Sequence, residues 1–159
     1  EVYGGRTLGV VMTGMGADFN LSPTDNYQLM FSYNHFIKAE VSQSNDVTRI
    51  GAPLNYNPAN SYKLWNRYNI TEGALKGLAI GAGLRHADSA RLSGDPLNRV
   101  MMPAFTTYDL MFSYATTIGG RRVSAQLNIK NVTDKLYRDG TDGYFADKRN
   151  VIFSVRTKF

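Results

Sequence analysis

Val151-Ile152-Phe153-Ser154-Val155-Arg156-Thr157-Lys158-Phe159 is the stretch whose reading decides the fold. Odd positions carry Val, Phe, Val, Thr and Phe, while even positions carry Ile, Ser, Arg and Lys. A period of two puts the first set on one face of a strand and the second on the other. In a soluble protein a bare alternating strand at a chain end frays and invites edge pairing. A transmembrane β-barrel suits it better, because the last strand pairs with the first and no edge remains.

The pattern recurs upstream. Tyr27, Leu29, Phe31 and Tyr33 alternate with Gln28, Met30, Ser32 and Asn34. Leu78, Ile80, Ala82 and Leu84 alternate with Ala79, Gly81, Gly83 and Arg85. Tyr108, Leu110, Phe112 and Tyr114 alternate with Thr107, Asp109, Met111 and Ser113, and Val123, Ala125, Leu127 and Ile129 with Ser124, Gln126, Asn128 and Lys130. A soluble β-sandwich or lipocalin-like barrel also alternates. The apolar rows here carry aromatics near their ends (Tyr27 and Tyr33, Tyr108 and Tyr114, Phe159), as interfacial girdles do. A one-residue slip would bring Lys130 and Arg156 to lipid, at about 2–4 kcal/mol each near the midplane. Both therefore read as lumen residues.

Composition narrows the class. The 159 residues hold 18 Lys and Arg against 13 Asp and Glu, a net charge of +5. No basic run or basic helix marks a nucleic-acid site, so these charges read as solvated loop residues. Positive charge in a lumen would attract anionic ligands. There is no cysteine, hence no disulfide framework and no thiolate metal site. No apolar run approaches the roughly 18 residues of a membrane helix. The sequence opens at Glu1 without a signal peptide and reads as a processed chain or an excerpt.

Turn signals divide 1–159 into about seven strands. They fall near 5–21, 27–41, 59–70, 78–88, 103–117, 122–134 and 149–159. Gly14, Gly16 and Ala17 blur the first and predict a bulge. Short turns (22–26, 71–77, 118–121) alternate with long polar loops (42–57, 89–102, 135–148). Transmembrane barrels put short turns on the periplasmic side and long loops outside. Seven strands cannot close a bacterial barrel, whose count is even and about 8 or more. The expected architecture is therefore all-β and antiparallel, a partial transmembrane barrel. Strands of about 12–16 residues exceed the ~9–11 needed to span, which predicts a projecting rim.

Five stretches, in order, resemble the C-terminal barrel segment of TonB-dependent outer-membrane receptors, siderophore receptors most closely. They are Pro53 with Asn57-Pro58-Ala59, Leu64-Trp65 and Tyr68; Gly73 through Gly83; Pro103-Ala104-Phe105-Thr106-Thr107-Tyr108-Asp109-Leu110; Gln126 through Lys135 with Tyr137; and Arg149-Asn150-Val151 with Ser154-Val155-Arg156 and Phe159. Val11 departs from the pattern, since the family often has Glu there. The resemblance implies a barrel of about 22 strands around a plug. It also implies the outer membrane as location, lipid as surroundings and energy from the TonB complex through an N-terminal part absent here. Phe159 would serve as the signal to the barrel-assembly machinery. The implied cargo is a ferric siderophore, an anionic iron chelate. Haem, cobalamin or an oligosaccharide within the family, and a passive porin-like barrel outside it, are the alternatives.

No catalytic constellation, cofactor motif or metal set emerges, and the reading is non-enzymatic. The 2 histidines, His35 and His86, lack a partner at metal-ligand spacing. Gly81-x-Gly83 precedes no helix and reads as room left for the plug. Asn69-Ile70-Thr71 and Asn131-Val132-Thr133 match the glycosylation pattern, which carries no meaning in a bacterial outer membrane. Expected lumen residues are Gln28, Ser32, Asn34, Arg85, Asp109, Gln126, Asn128, Lys130 and Arg156. Candidate ligand contacts, from aromatic and basic groups in the long loops and upper wall, are Tyr56, Arg85, His86, Arg91, Arg99, Tyr137, Arg138, Tyr144 and Phe145.

Overall fold

The structure, a computed structural model, describes residues 8–92, 100–139 and 144–158. Its strands are β1 (Leu8–Thr24), β2 (Tyr27–Ser44), β3 (Asn60–Asn69), β4 (Leu78–Ala87), β5 (Ala90–Arg91), β6 (Met101–Met102), β7 (Phe105–Ile118), β8 (Arg121–Lys130) and β9 (Asn150–Lys158). Seven form one sheet in the order β1-β2-β3-β4-β7-β8-β9, each antiparallel to its neighbours. β5 and β6 make a separate small ladder on the β4–β7 connection. The sheet is unclosed among the described residues, since β1 and β9 each have one neighbour.

All three short connections (25–26, 70–77, 119–120) lie at one end of the meander and the three long ones (45–59, 88–104, 131–149) at the other. The expected strand lengths need correction. β1 and β2 span 17 and 18 residues, whereas β3, β4 and β8 have 10 and β9 has 9. Only the first hairpin rises far beyond the rest. β8 stops at Lys130, short of the expected 134, because Asn131 turns to φ 50° and leaves the extended region. β1 runs on to Thr24, which leaves Asp25-Asn26 as the turn.

A bulge does fall beside Gly14, but on the partner strand and not on β1 as expected. Thr13 faces Lys38 and Gly14 faces Phe36, so Ile37 is the extra residue on β2. A Cβ on Gly14 would sit 2.5 Å from the His35 carbonyl oxygen, so the backbones approach here as only glycine permits.

Register assembles the faces. Phe19, Phe31, Leu64, Leu84 and Tyr108 form one cross-strand row, and Tyr68, Ile80, Phe112, Leu127 and Phe153 another on the same side. No described residue covers this face. Phe19 is 53 % exposed, Phe153 67 % and Val155 60 %, and no large side chain among the described residues is fully buried. A soluble sandwich would lay a second sheet here.

Three strands place tyrosines on this apolar face six positions apart: Tyr27 and Tyr33, Tyr62 and Tyr68, Tyr108 and Tyr114. Six residues of strand span about 20 Å, so the rows bracket an apolar band close to the ~25 Å of a barrel. The β3 pair escaped the sequence reading because Asn66 interrupts its apolar row. Tyr27 donates its hydroxyl hydrogen to the Asn66 side-chain oxygen, which satisfies that amide oxygen within the row.

Candidate ligand-facing wall at the long-loop end

The opposite face is polar in outline. Gln28, Ser32, Asn34, Arg85, Asp109, Gln126, Asn128, Lys130 and Arg156 all project from it, joined row by row through the ladder. Lys63, between Ser32 and Arg85, belongs to the same row and was missed, although Ser61-x-Lys63-x-Trp65-x-Arg67 carries the alternation. An apolar island interrupts this wall at Met30, Trp65 and Met111. The expectation that Gly81 and Gly83 leave room for a plug is corrected. A Cβ on Gly81 would lie 2.7 Å from Trp65 Cζ2, and one on Gly83 2.6 Å from Trp65 Cε3. The two glycines make room for the indole of the neighbouring strand.

Toward the long loops the wall gains charge and rings. The Arg85 guanidinium forks onto the Asp139 carboxylate, with Nη2 donating to Oδ1 at 2.8 Å and Nη1 to Oδ2. Two parallel bonds fix its plane more firmly than a lysine would. The same guanidinium lies 5.4 Å from the Phe105 ring centroid, and Phe105 packs on Tyr137 at 4.3 Å. Phe105 is buried, paired with Ala87, and holds this stack to β7. Burial pushes the Tyr137 phenol above its ordinary pKa, and the Asp139 and Asp109 charges add to this against the pull of Arg85. Tyr137 therefore stays a neutral hydrogen-bonding group at physiological pH. Arg85, Asp109, Lys130, Tyr137, Asp139 and Phe145 line a concavity of about 530 Å³.

The loop that supplies half of this site is pinned by Asn131. Its backbone N–H donates to Asp109 Oδ1 at 2.8 Å. Its Nδ2 donates to the carbonyls of Lys135 (2.8 Å) and Asp147 (3.4 Å), while its Oδ1 accepts from the Lys135 N–H at 2.9 Å. Asn tolerates the left-handed backbone that reverses the chain here. Asp134 continues the anchor by accepting the Arg149 N–H at 2.8 Å. The Asn131–Asp134 stretch thus ties the 131–149 loop to both β7 and β9. Within the loop, Asp139 N–H bonds to the Tyr144 carbonyl and Ala146 N–H to that of Tyr137. Arg138 lies over the Phe145 ring at 4.5 Å.

The other candidates divide. Tyr137, Arg138, Tyr144 and Phe145 come together in this small hairpin. Tyr56 and Arg91 meet through a backbone bond, Tyr56 N–H to the Arg91 carbonyl at 2.8 Å, which joins two long loops. His86 does not join Arg85. As its immediate neighbour in β4 it projects to the apolar face, stacked on Tyr62 at 4.8 Å and bonded to Thr106 Oγ1 at 2.8 Å. There it meets a polar chain. Asp88 lies 3.3 Å from His86 Nε2 and accepts from Asn60 Nδ2 at 2.6 Å. Asn60 Oδ1 in turn accepts from the Tyr33 hydroxyl and contacts His35 Nδ1, each at 2.8 Å. The Asn60 side-chain bond, with help from His86, holds the Asp88 carboxyl below the usual carboxylate range. Arg99 and Phe159 lie outside the described residues.

Comparison with known proteins agrees with this architecture. A family profile described as "TonB dependent receptor-like, beta-barrel" matches residues 3–132. The chain is 34% identical over 100 residues to the ferrioxamine B receptor of Salmonella typhimurium, covering 60% of this chain and 14% of that protein. It is 29% identical over 131 residues to an uncharacterized TonB-dependent receptor of Haemophilus influenzae, covering 82% of this chain and 38% of the other. Among solved structures, the ferric preacinetobactin receptor BauA of Acinetobacter baumannii superposes with a TM-score of 0.80 at 21% identity, over 89% of this chain and 21% of that one. The siderophore receptor PiuA of the same organism gives 0.76 at 22% identity, over 93% and 22%. The chain therefore spans well under half the length of these proteins.

Proposed function

The chain belongs to the TonB-dependent receptor β-barrel family, and on that premise we propose that it forms the C-terminal staves of an outer-membrane receptor that binds and imports a ferric siderophore. Its apolar face meets the lipid of the bacterial outer membrane. Its polar face looks into the lumen, where Gln28, Ser32, Asn34, Asp109, Gln126, Asn128, Lys130 and Arg156 line the wall. The rest of the receptor supplies the remaining strands, a plug and the contact with the TonB complex. Phe159 presents the terminal strand to the assembly machinery.

One observation supports the cargo most directly: Arg85, Lys130, Tyr137 and Phe145 converge on a concavity of about 530 Å³ at the long-loop end, with Phe105 packed behind Arg85 and Tyr137. An anionic chelate would take the place of Asp139 on the guanidinium and share the ammonium with Asp109, and its flat aromatic or amide parts match the rings. The loop groups Arg138, Tyr144 and Phe145, with Tyr56 and Arg91 on the other two long loops, extend the same chemistry. Arg99 is proposed with them from the sequence. His86, on the lipid side, is set apart from this group.

Ferric siderophores added to the full-length receptor should quench its tryptophan fluorescence saturably, and Arg85→Ala should weaken that binding about tenfold or more, the scale of a charge-assisted bidentate contact. Arg85→Lys should recover only part. Quenching by haem, cobalamin or oligosaccharide but by no ferric chelate would reassign the cargo. Unchanged iron-limited growth after deletion of the gene would overturn the transport reading.

A further inference from the structure

A second concavity, of about 530 Å³, lies farther toward the long loops on the polar face, and it is apolar where the ligand wall is charged. Phe36 and Ala39 of β2, Pro53 and Leu54 of the 45–59 loop and Met101 of β6 line it, with Arg91 as its cationic member. Its side of the sheet follows from register. Phe36 pairs with Gly14 and Ala39 with Met12, which share the parity of Gly16 and Asp18, the partners of Asn34 and Ser32. The concavity therefore lies opposite the tyrosine rows and the lipid. Main-chain hydrogen bonds hold its walls: Leu54 N–H to the Ala39 carbonyl and Tyr56 N–H to that of Arg91, both at 2.8 Å, and Phe36 N–H to that of Ala59 at 2.9 Å. Tyr56, where the two loops join, sits at φ 61°, a left-handed backbone that a bulky residue keeps only under constraint.

We infer that this concavity takes the hydrocarbon arm of the ferric chelate, so that the cargo is amphiphilic, with an anionic iron-binding head on Arg85 and an alkyl or acyl chain between β2 and the two loops. The inference deepens the siderophore reading above and rests on it. Apolar surface open to water gains free energy by covering hydrocarbon, and a preformed pocket loses little entropy in doing so. The volume lies within the range of about 300–1,000 Å³ typical of small-molecule sites. Distance ties the arm to the head. Ser89, at this concavity, is four residues beyond Arg85, at most about 13 Å along the chain, a gap that one medium-length chain spans. Charge selects an anion-bearing ligand over a neutral lipid, because Arg91 stands at this concavity as Arg85 does at the other. The N–H groups of Phe36, Leu54 and Tyr56 are already donated within the fold, so they offer a polypeptide strand no ladder.

The test titrates the full-length receptor in lipid nanodiscs by tryptophan quenching, with empty discs as the blank. Two series of ferric complexes serve as probes, one with a tris-catecholate head and one with a citrate-dihydroxamate head, each carrying no chain, a hexanoyl chain or a dodecanoyl chain. Within the series that binds, affinity should rise tenfold or more from the bare complex to the dodecanoyl one. Ala39→Phe, which fills the concavity, should cut that preference to less than threefold, and Arg85→Ala should weaken every complex of the series alike. Should Ala39→Phe fail to reach the folded, heat-modifiable form, Met101→Gln, at a side chain 51 % exposed, takes its place with the same expectation. Dansyl-undecanoic acid, an arm with a carboxylate and no iron, should bind the parent with blue-shifted emission, and Ala39→Phe should remove the shift. Equal affinity along the series, or a preference that Ala39→Phe and Met101→Gln both keep, would overturn the inference and leave the concavity to a segment of the receptor. Quenching without chain preference sinks only the arm. Failure of every ferric complex to quench sinks the cargo reading, and the dansyl probe then decides the apolar site by itself.

Discussion

Phe153→Arg is the sharpest probe of the face assignment, because its neighbour Ile152 provides the control. Phe153 is 67 % exposed on the apolar face, paired with Leu127 and in the row of Phe112. On β7, Phe112 lies between Tyr108 and Tyr114, two positions from the lower tyrosine and within about 3–4 Å of the midpoint of that strand; barrel strands tilt by about 35–45°, so the row crosses the band obliquely, from Tyr68 at its edge on β3 inward. An arginine at that depth costs about 2–4 kcal/mol in a barrel. That is roughly a 30- to 700-fold loss in the folding equilibrium constant. Ile152 points to the other face, paired with Asn128, and is also exposed, so Ile152→Arg should change stability by less than about 1 kcal/mol. The assay is equilibrium unfolding of the full-length receptor in lipid vesicles, with folded fraction read from heat-modifiable gel mobility. If Phe153→Arg were neutral and Ile152→Arg the costly one, the lipid and lumen faces would be reversed. If both were neutral, neither face would be in lipid.

Asn131→Ala removes three side-chain hydrogen bonds and leaves Ala at φ 50°. The expected loss is roughly 2–4 kcal/mol of local stability, seen as faster amide exchange and proteolysis in 131–149 with little change elsewhere. Gly83→Val drives a side chain into the Trp65 indole and should lower the thermal midpoint, at about 1–3 kcal/mol; Trp65→Ala in the same chain should cancel most of that penalty, and additivity of the two would disprove the contact. Asp88 has a folded-state pKa below its ordinary 3.8. Its bonds to Asn60 and His86 therefore contribute stability above that value and lose it as pH falls from there through the lower folded-state pKa. The protection of the Asn60 amide against exchange, relative to its intrinsic rate at each pH, should fall below about pH 4 in the parent, since its N–H bonds to Asp88 Oδ2. In Asp88→Asn that acid-dependent step should disappear.

The all-β class, the near-correct boundaries of seven strands, a ladder irregularity beside Gly14 and the alternation of short and long connections were legible because each has a local cause. Backbone pleat, turn chemistry and glycine sterics act within a few residues. β3 was the hardest strand to read, since Asn66 sits in its apolar row and Trp65 in its polar one. Both exceptions have partners on other strands, Tyr27 for the first and the glycines of β4 for the second. Grouping Arg85 with His86 overlooked the same parity that located the strands.

The candidate wall was legible only as a list of chemical types. Arg85 and Asp139 are separated by 54 residues, and Phe105 reaches Tyr137 across a different interval. Asp139 and Phe105 carry no local mark of their role. The Gln126–Tyr137 motif stood out in the sequence, but that Asn131 hooks the last long loop onto β7 appears only in the fold.

From residue order alone came the two-faced strands, their sequence of turns and loops, and the family they resemble, because side-chain alternation is a property of each strand taken singly. The tertiary structure decided which residues stand beside one another across strands. It gave the tyrosine rows, the Trp65 seat over glycine, the Arg85–Asp139 clamp and the apolar concavity beyond it. Those pairings follow from register and loop docking, which join residues distant in the chain and leave no periodic trace in any one segment.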